Sequence, residues 1–370
     1  METPTWRAVH VYYYDEDKDG LLLDAVRPLL RRIAGHVESA YFVRHWRYGP
    51  HVRIPIRATP SAFRSVVEPA VADLVGGYLA RHPSTASLPP EHVLLPMHER
   101  LAELELESGP LRPLAPDNSI TFTEHDRRLH TLDGDVGSDL LAEFHAATNE
   151  LAFAMLEEIR GGRTREFVGL SLMLALAHSF GGEAGIARGF VSFRSHSEAF
   201  LHGSSDPDGI RTRFDQQYRA NAGALTALVR SVLDTVDGRA DAVPFANEWV
   251  AALRPFWIRS EPLVLSGQLT LTSVTPGDND GTTAGKLDNS PMHRLMFGSD
   301  RFRRLVFDDP NFTRYRLVLN YTYLHLARLG IMGYARFRLC HLAANAVEDA
   351  LGVSAQQIVR DVAVPPAARG

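Results

Sequence analysis

"YFVRHWRYGPHVRIPIRA", residues 41–58, decides how the amino-terminal part of the chain folds. Apolar and polar residues alternate on both sides of a Gly-Pro step, and that pattern predicts a hairpin over 39–57 turning at "RYGP". In its second strand Val52, Ile54 and Ile56 fall on one face, which reads as core, and His51, Arg53 and Arg57 fall on the other. Pro55 shares the basic face although it has no N–H to give to a ladder. An arginine and a histidine two apart, beside the aromatic and basic residues of "VRHWRYGP", suit an anion or an amide carbonyl. A solvated basic sheet face is the plainer alternative.

Outward from the hairpin, "WRAVHVYYY" (6–14) reads as a strand and "DGLLLDAVRPLLRRIAGH" (19–36) as a helix interrupted near Pro28. The chain therefore starts β-α-β-β. A second helix follows in "SAFRSVVEPAVADLVGGYL" (61–79), with Ser61 placed as its N-cap. Residues 83–118 are rich in proline and polar residues, and "SITFTEH" (119–125) is another short strand. The expected class is α+β: a ferredoxin-like antiparallel sheet with helices over 1–130, then a mainly helical portion over 131–370, the two forming one compact unit. Helices are predicted at 137–160, 163–180, 184–201, 208–236, 244–258, 287–297, 310–329 and 333–351. Between them "LVLSGQLTLTSV" (263–274) alternates like a strand and leads into the glycine-rich loop "TPGDNDGTTAGK" (275–286).

Composition narrows the function classes. The 370 residues are 45% hydrophobic and 22% charged, as in a soluble globular protein. A net charge of -5 offers no broad basic field, so no nucleic-acid partner is expected. Nearly all the positive charge is arginine, with Lys18 and Lys286 the only lysines. Cys340, the single cysteine, reads as a small buried apolar residue, allows no intrachain disulfide and fits a reducing cytoplasm. The start lacks a signal-peptide pattern, and the most apolar run, "FVGLSLMLALAHSF" (167–180), is too short to cross a bilayer, so a cytoplasmic location away from membranes is expected.

Several standard chemistries fail on spacing. "GDNDGTTAGK" has Asp280 where a phosphate loop needs its first glycine and Leu287 where it needs Ser or Thr. The sixteen histidines show no pairing at ligand spacing with a third ligand nearby, so no metal is expected. What stands out instead is "TRYRLVLNYTYLHLARLGI" (313–331), apolar over much of its circumference and yet carrying two polar stripes. Thr313, Arg316, Asn320 and Tyr323 form one, and Arg314, Tyr321, His325 and Arg328 the other. Each must face a cleft, a partner network or water.

These segments together resemble the small, C-terminal-type domain of lantibiotic dehydratases. "WRAVHVYYYDEDKDGLLLDAVRPLLRRI" and "AYFVRHWRYGPHVRIPI" resemble its opening, with an F-[IV]-R-[YH] strand and an H-x-R-x-R strand. "TFTEHDRRLHTLDG" is similar to its E-x-x-R-Y-G-G segment, and "YRLVLNYTYLHLARLGI" with "FRLCHLAANAVEDAL" to its closing pair of helices. Stand-alone members of this type eliminate glutamate from glutamylated Ser or Thr, or build the central pyridine of thiopeptides.

The departures choose between these. The lyase pattern implied by the resemblance has a second arginine where this chain has Pro55, and a histidine where it has Arg316. Proline cannot hold a departing carboxylate, and arginine is too basic to shuttle protons near neutral pH. Glu124 and Arg127 are retained. The resemblance thus implies a pyridine synthase, with glutamate elimination or noncatalytic leader binding as alternatives. It would act on a leader-bearing precursor peptide with a dehydrated, azole-containing core, without metal, nucleotide or redox cofactor. Under that reading Tyr321, Ser290, Tyr323 and His293 are the candidate catalytic residues, and Ser290 also reads as a helix cap. Arg53, His51, Gln268, Arg316, Asn320, Ser195 and His196 are the candidate substrate-binding residues. Homodimerisation is a mild expectation from the aromatic, apolar surface.

Overall fold

Strands β1 (Thr5–Tyr12) and β4 (His51–Ala58) pair antiparallel, Val9 opposite Ile54 and Val11 opposite Val52, and form the middle of a sheet. The computed structural model describes residues 2–271 and 290–364. Strand β5 (Ser119–Glu124) lies antiparallel on the other side of β1, while β2 (Ser39–Ala40) and β3 (Val43–His45) both pair with β4. The order is β2-β4-β1-β5, with β3 on the same edge as β2. The chain divides into two compact units, the first made of 1–134, 138–162 and 327–330, the second of 135–137, 163–326 and 331–370.

The two faces of the sheet separate as alternation requires. Val9, Val11, Val52, Ile54 and Ile56 are fully buried, and so are Leu21, Leu22, Leu29 and Ile33 of the helical run 19–33. The opposite face carries Trp6, His10 and Tyr12 from β1 across from Arg57, Arg53 and His51 of β4. It is covered rather than solvated: His51 is fully buried.

Pro55 accounts for the break between β2 and β3. The register runs unchanged from Ala40 opposite Ile56 to Val43 opposite Arg53, so Tyr41 stands opposite Pro55. The Tyr41 N–H donates to the Pro55 carbonyl at 3.1 Å, but the return bond has no donor, and the ladder lapses for two residues. The chain keeps the proline inside the sheet by giving up one bond.

The helices of this unit depart from prediction where proline is involved. The run 19–33 is not interrupted at Pro28, because a wide turn over Leu22–Val26 precedes it and absorbs the missing N–H. The run 60–81 starts at Thr59, not Ser61: the Thr59 hydroxyl accepts from the Ala62 N–H at 3.2 Å, and Pro60 takes the first helical position. A helix at Glu91–Glu105, unread in the sequence, begins directly after Pro89 and Pro90 and contains Pro96. The predicted helix 137–160 is two, Gly134–Ala147 and Asn149–Arg160, joined at buried Thr148, whose hydroxyl donates to the Phe144 carbonyl.

The second unit is helical. Arg165–Phe180 is apolar on all sides and buried from Val168 through Ala177, packed by helices Pro207–Val236, Ala246–Leu265 and Gly333–Leu351. Glycine permits one of its close approaches: a Cβ on Gly189 would stand 2.4 Å from the Ala177 carbonyl oxygen. The predicted helix 184–201 is divided into Ile186–Gly189 and Val191–His202.

The strand predicted over 263–274 is corrected. Helix Ala246–Leu265 runs through Pro255 and Pro262, both exposed, so water can satisfy the carbonyls they free. It ends at Gly267, φ +71°, and residues 266–271 form no strand. Residues 272–274, the glycine-rich loop 275–286 and the start of the predicted helix 287–297 lie outside the described residues, and the described helix there is Pro291–Phe297.

Candidate functional site

In the second unit, helix Val191–His202 turns Ser195 and His196 toward different partners. The Ser195 hydroxyl lies 2.9 Å from His293 Nε2, on helix Pro291–Phe297. Burial pushes the His293 imidazole down to about 4, so it is neutral at physiological pH, and its Nδ1 is buried without a partner. One turn away, Ser290 sits at the N-cap position but makes no cap hydrogen bond. Its hydroxyl is wholly inaccessible and unpartnered among the described residues.

His196 Nδ1 lies 2.9 Å from the Tyr323 hydroxyl, a pairing of residues 127 apart in sequence. The same hydroxyl is 3.4 Å from Cys340 Sγ, and the Arg336 guanidinium lies over the Tyr323 ring, 5.1 Å from its centroid. Burial, followed by the Arg336 and Arg316 guanidinium groups, holds His196 near 3. Burial also raises the Tyr323 phenol well above its usual range and the Cys340 thiol to about 11. None of these groups is ionised near neutral pH. Cys340 is buried, as its sequence context suggests, but neither it nor Arg336 is singled out there as part of a site, and the one available signal is their i, i+4 spacing on helix Gly333–Leu351.

The two stripes of helix Pro310–Arg328 part company. Thr313, Arg316 and Asn320 are half-buried and lead to Tyr323, so this stripe borders accessible space. An Arg316 Nη2 donates to the Leu271 carbonyl at 3.4 Å. The other stripe is core. Arg314 lies 4.2 Å over the Trp257 ring, Tyr321 meets Phe256 edge-on, and His325 packs on Trp249. Tyr321 is 4% exposed, while Gln268 is exposed in the turn after helix Ala246–Leu265. Arg328 belongs to the first unit, donating to the His145 carbonyl, Thr148 and Asn149 under Phe42.

The covered face of the sheet in the first unit forms a separate cluster. His10 stacks on His51 at 4.8 Å, His45 lies 5.3 Å from His51, and the Tyr41 hydroxyl is 3.2 Å from His125 Nε2. Arg53 stands among them with no hydrogen-bond or ion-pair partner among the described residues, and its Nε is buried. Burial and this guanidinium lower His10 to about 3 and His125 to about 4. Burial likewise lowers His45 to about 4, even with Glu107 at 3.5 Å. Sequence reading named His51 and Arg53 but missed the histidines around them, which arrive from β1, β3 and the end of β5.

His45, Glu105 and Glu107 place ligand atoms within 4.8 Å of one another. They suit a cation poorly. Glu107 already pairs with Arg47 at 2.9 Å and Arg128 at 3.4 Å, and Glu105 accepts the Trp46 indole N–H at 2.8 Å. No described helix is long and apolar enough to cross a membrane.

Comparison with known proteins places the chain. The lantibiotic biosynthesis dehydratase C-terminal family matches residues 6–347. A solved pyridine synthase, TbtD from thiomuracin biosynthesis, is 36% identical over 95% of this chain and 100% of its own, with a TM-score of 0.77. TsrL shares the fold at 22% identity over 98% of this chain and 100% of its own, with a TM-score of 0.71. The tRNA-dependent lantibiotic dehydratase MibB from Microbispora sp. 107891 matches at 15% identity and a TM-score of 0.51, 94% of this chain covering 28% of that one. No curated protein matches. From its opening strand to its last long helix, the chain belongs to the lantibiotic dehydratase C-terminal family.

Proposed function

We propose that the protein forms the central pyridine of a thiopeptide. In this reading two dehydroalanines of a leader-bearing, azole-containing peptide join in a formal [4+2] cycloaddition, one of them forming the azadiene together with the iminol of its own backbone amide and the other supplying the two-carbon alkene. Loss of water and then of the leader as its carboxamide aromatises the ring and closes the macrocycle. The observation that carries the proposal is the set of neutral polar groups in the second unit, Ser195 with His293 and His196 with Tyr323, beside a Ser290 hydroxyl that has no partner among the described residues. The 36% identity to a pyridine synthase supports it.

The chemistry suits such groups. Bringing two alkenes of one chain together is proximity catalysis, worth roughly 7–11 kcal/mol when geometry is well set. Polarising an amide toward its iminol needs hydrogen-bond donors rather than fixed charge, and Ser290 is assigned that role, which requires peptide binding to uncover its buried hydroxyl. Neutral His293 accepts from or returns a proton to Ser195 during the two eliminations. Arg316, Asn320 and Gln268 are assigned to the peptide backbone, and Tyr321 to support of the helix that carries them. Arg53 is assigned to contact with the peptide in the first unit, and the fully buried His51 to support of that face. Glutamate elimination is disfavoured by Pro55 and Arg316, as the sequence reading argues.

The test is incubation of the purified protein with a fully dehydrated, azole-bearing precursor. A pyridine-containing macrocycle together with an intact leader carboxamide is the expected product. Release of glutamate from a glutamylated precursor, with no ring formed, would overturn the assignment in favour of a lyase. Leader binding with neither product would mark a noncatalytic partner.

A further inference from the structure

We propose that His196 serves as a neutral hydrogen-bond donor through Nε2, with its tautomer set by Tyr323 and, behind Tyr323, by the Cys340 thiol. The identity of the acceptor, a peptide carbonyl oxygen, rests on the function proposed above. The tautomer does not.

One hydroxyl is shared between the imidazole and the thiol. Tyr323 has a single proton and two neighbours, His196 Nδ1 at 2.9 Å and Cys340 Sγ at 3.4 Å. In one arrangement the phenol donates to Nδ1 and the thiol donates to the phenol oxygen. In the other Nδ1–H donates to the phenol, which must then donate to sulfur. A phenol is the stronger acid of the two candidate donors to this contact, imidazole nitrogen is a good acceptor, and thioether or thiol sulfur is a weak one. The first arrangement also gives the S–H a use, whereas the second leaves it without one. Nδ1 is therefore the acceptor, and the ring proton of the neutral imidazole is on Nε2.

The ring stays neutral because it is enclosed and because Arg336, Arg316 and His293 oppose a further positive charge there. It is nevertheless partly accessible, and Nε2 is not among the sealed, unpartnered atoms. A fixed N–H at the accessible edge of an uncharged ring matches a carbonyl oxygen that gains negative charge as its amide turns to an iminol. Tyr323 and Cys340 are positioning residues in this scheme, since the phenol's hydroxyl is already committed and its ring is 6% exposed.

Nitrogen-15 NMR of the imidazoles of the whole protein near neutral pH reads the tautomer, with the His196 signals identified by their loss in His196→Gln. The Nε2–H form is expected, and the Nδ1–H form or an imidazolium would overturn the proposal. Tyr323→Phe should yield a mixture of tautomers, while Cys340→Ser, and Cys340→Ala, which removes the phenol's other neighbour, should both retain the Nε2–H form. An unchanged tautomer in folded Tyr323→Phe would remove Tyr323 from the scheme, and a shift to Nδ1–H in Cys340→Ala would overturn the part given to the thiol. Because the wild-type spectrum alone can refute the tautomer, the test survives a variant that does not fold. In the ring-forming assay His196→Ala should lose about 100-fold, whereas His196→Gln, which keeps an N–H near Nε2, should stay within about tenfold of wild type. Equal losses would indicate proton transfer and overturn the donor role. If the wild type carries the Nε2–H tautomer but forms no ring, the proposed function fails and the tautomer assignment stands.

Discussion

Mild acid should destabilise the first unit, and the histidines of its covered sheet face determine the range. His45 and His125 are held at about 4, and His10 at about 3, against an ordinary value of 6.5. Below pH 6.5 the unfolded chain binds protons at these positions that the folded chain refuses. Stability is therefore full above that value and falls as the pH drops toward the folded values. By about pH 5 each group costs about 2 kcal/mol, so the three together remove about 6 kcal/mol. That is a large part of the roughly 5–15 kcal/mol that holds a domain together. Glu107, lowered to about 2 chiefly by its hydrogen bond from His45, adds a further loss only below about pH 4.5. Urea titrations across this pH range, followed by the fluorescence of Trp6 and Trp46, would measure the effect. Both indoles touch the cluster, Trp6 lying 5.6 Å from His125 and Trp46 5.8 Å from His45. Replacing His45 by Gln should reduce the slope of stability against pH by one proton. A stability that is level between neutral pH and about pH 5 would refute the reasoning.

Other expectations follow from single contacts. Ser290→Ala should leave the melting temperature unchanged or slightly raised, because it removes a buried hydroxyl that has no partner among the described residues, while ring formation falls about 100-fold. Gly189→Ala should cost about 1–3 kcal/mol by calorimetry, since the added Cβ meets the Ala177 backbone rather than a movable side chain. Arg328→Met should cost about 3 kcal/mol in chemical denaturation, as it strands the His145 carbonyl, Thr148 and Asn149 in the interior.

How legible these features were in the sequence depended on their range. Alternation located β1, β4 and β5 and assigned Val52, Ile54 and Ile56 to the core, because the strand period is a local property. Three- and four-residue spacing likewise separated two polar stripes on helix Pro310–Arg328. Which stripe was core could not be read, since periodicity gives an angle around the axis and says nothing about what faces it. Only the neighbours Trp257, Phe256 and Trp249 settle that. Proline misled in several places: helices Glu91–Glu105 and Ala246–Leu265 contain prolines that local rules treat as stops, and the fold accommodates them. The Ser195 to His293 and His196 to Tyr323 pairings join residues about a hundred positions apart, and no local pattern encodes them.

Pro55 has a consequence for the history of the family. Proline and arginine codons can differ by a single base, so the mutational step between this strand and the H-x-R-x-R pattern is short. The physical step is long. An arginine at 55 would point to the same covered face as Arg53, among imidazoles already held neutral, and would restore an N–H directed at Tyr41 in a ladder built around its absence. Reversal would need compensating changes at several of these positions at once, so the proline acts as a ratchet: easily entered, and hard to leave by one mutation at a time.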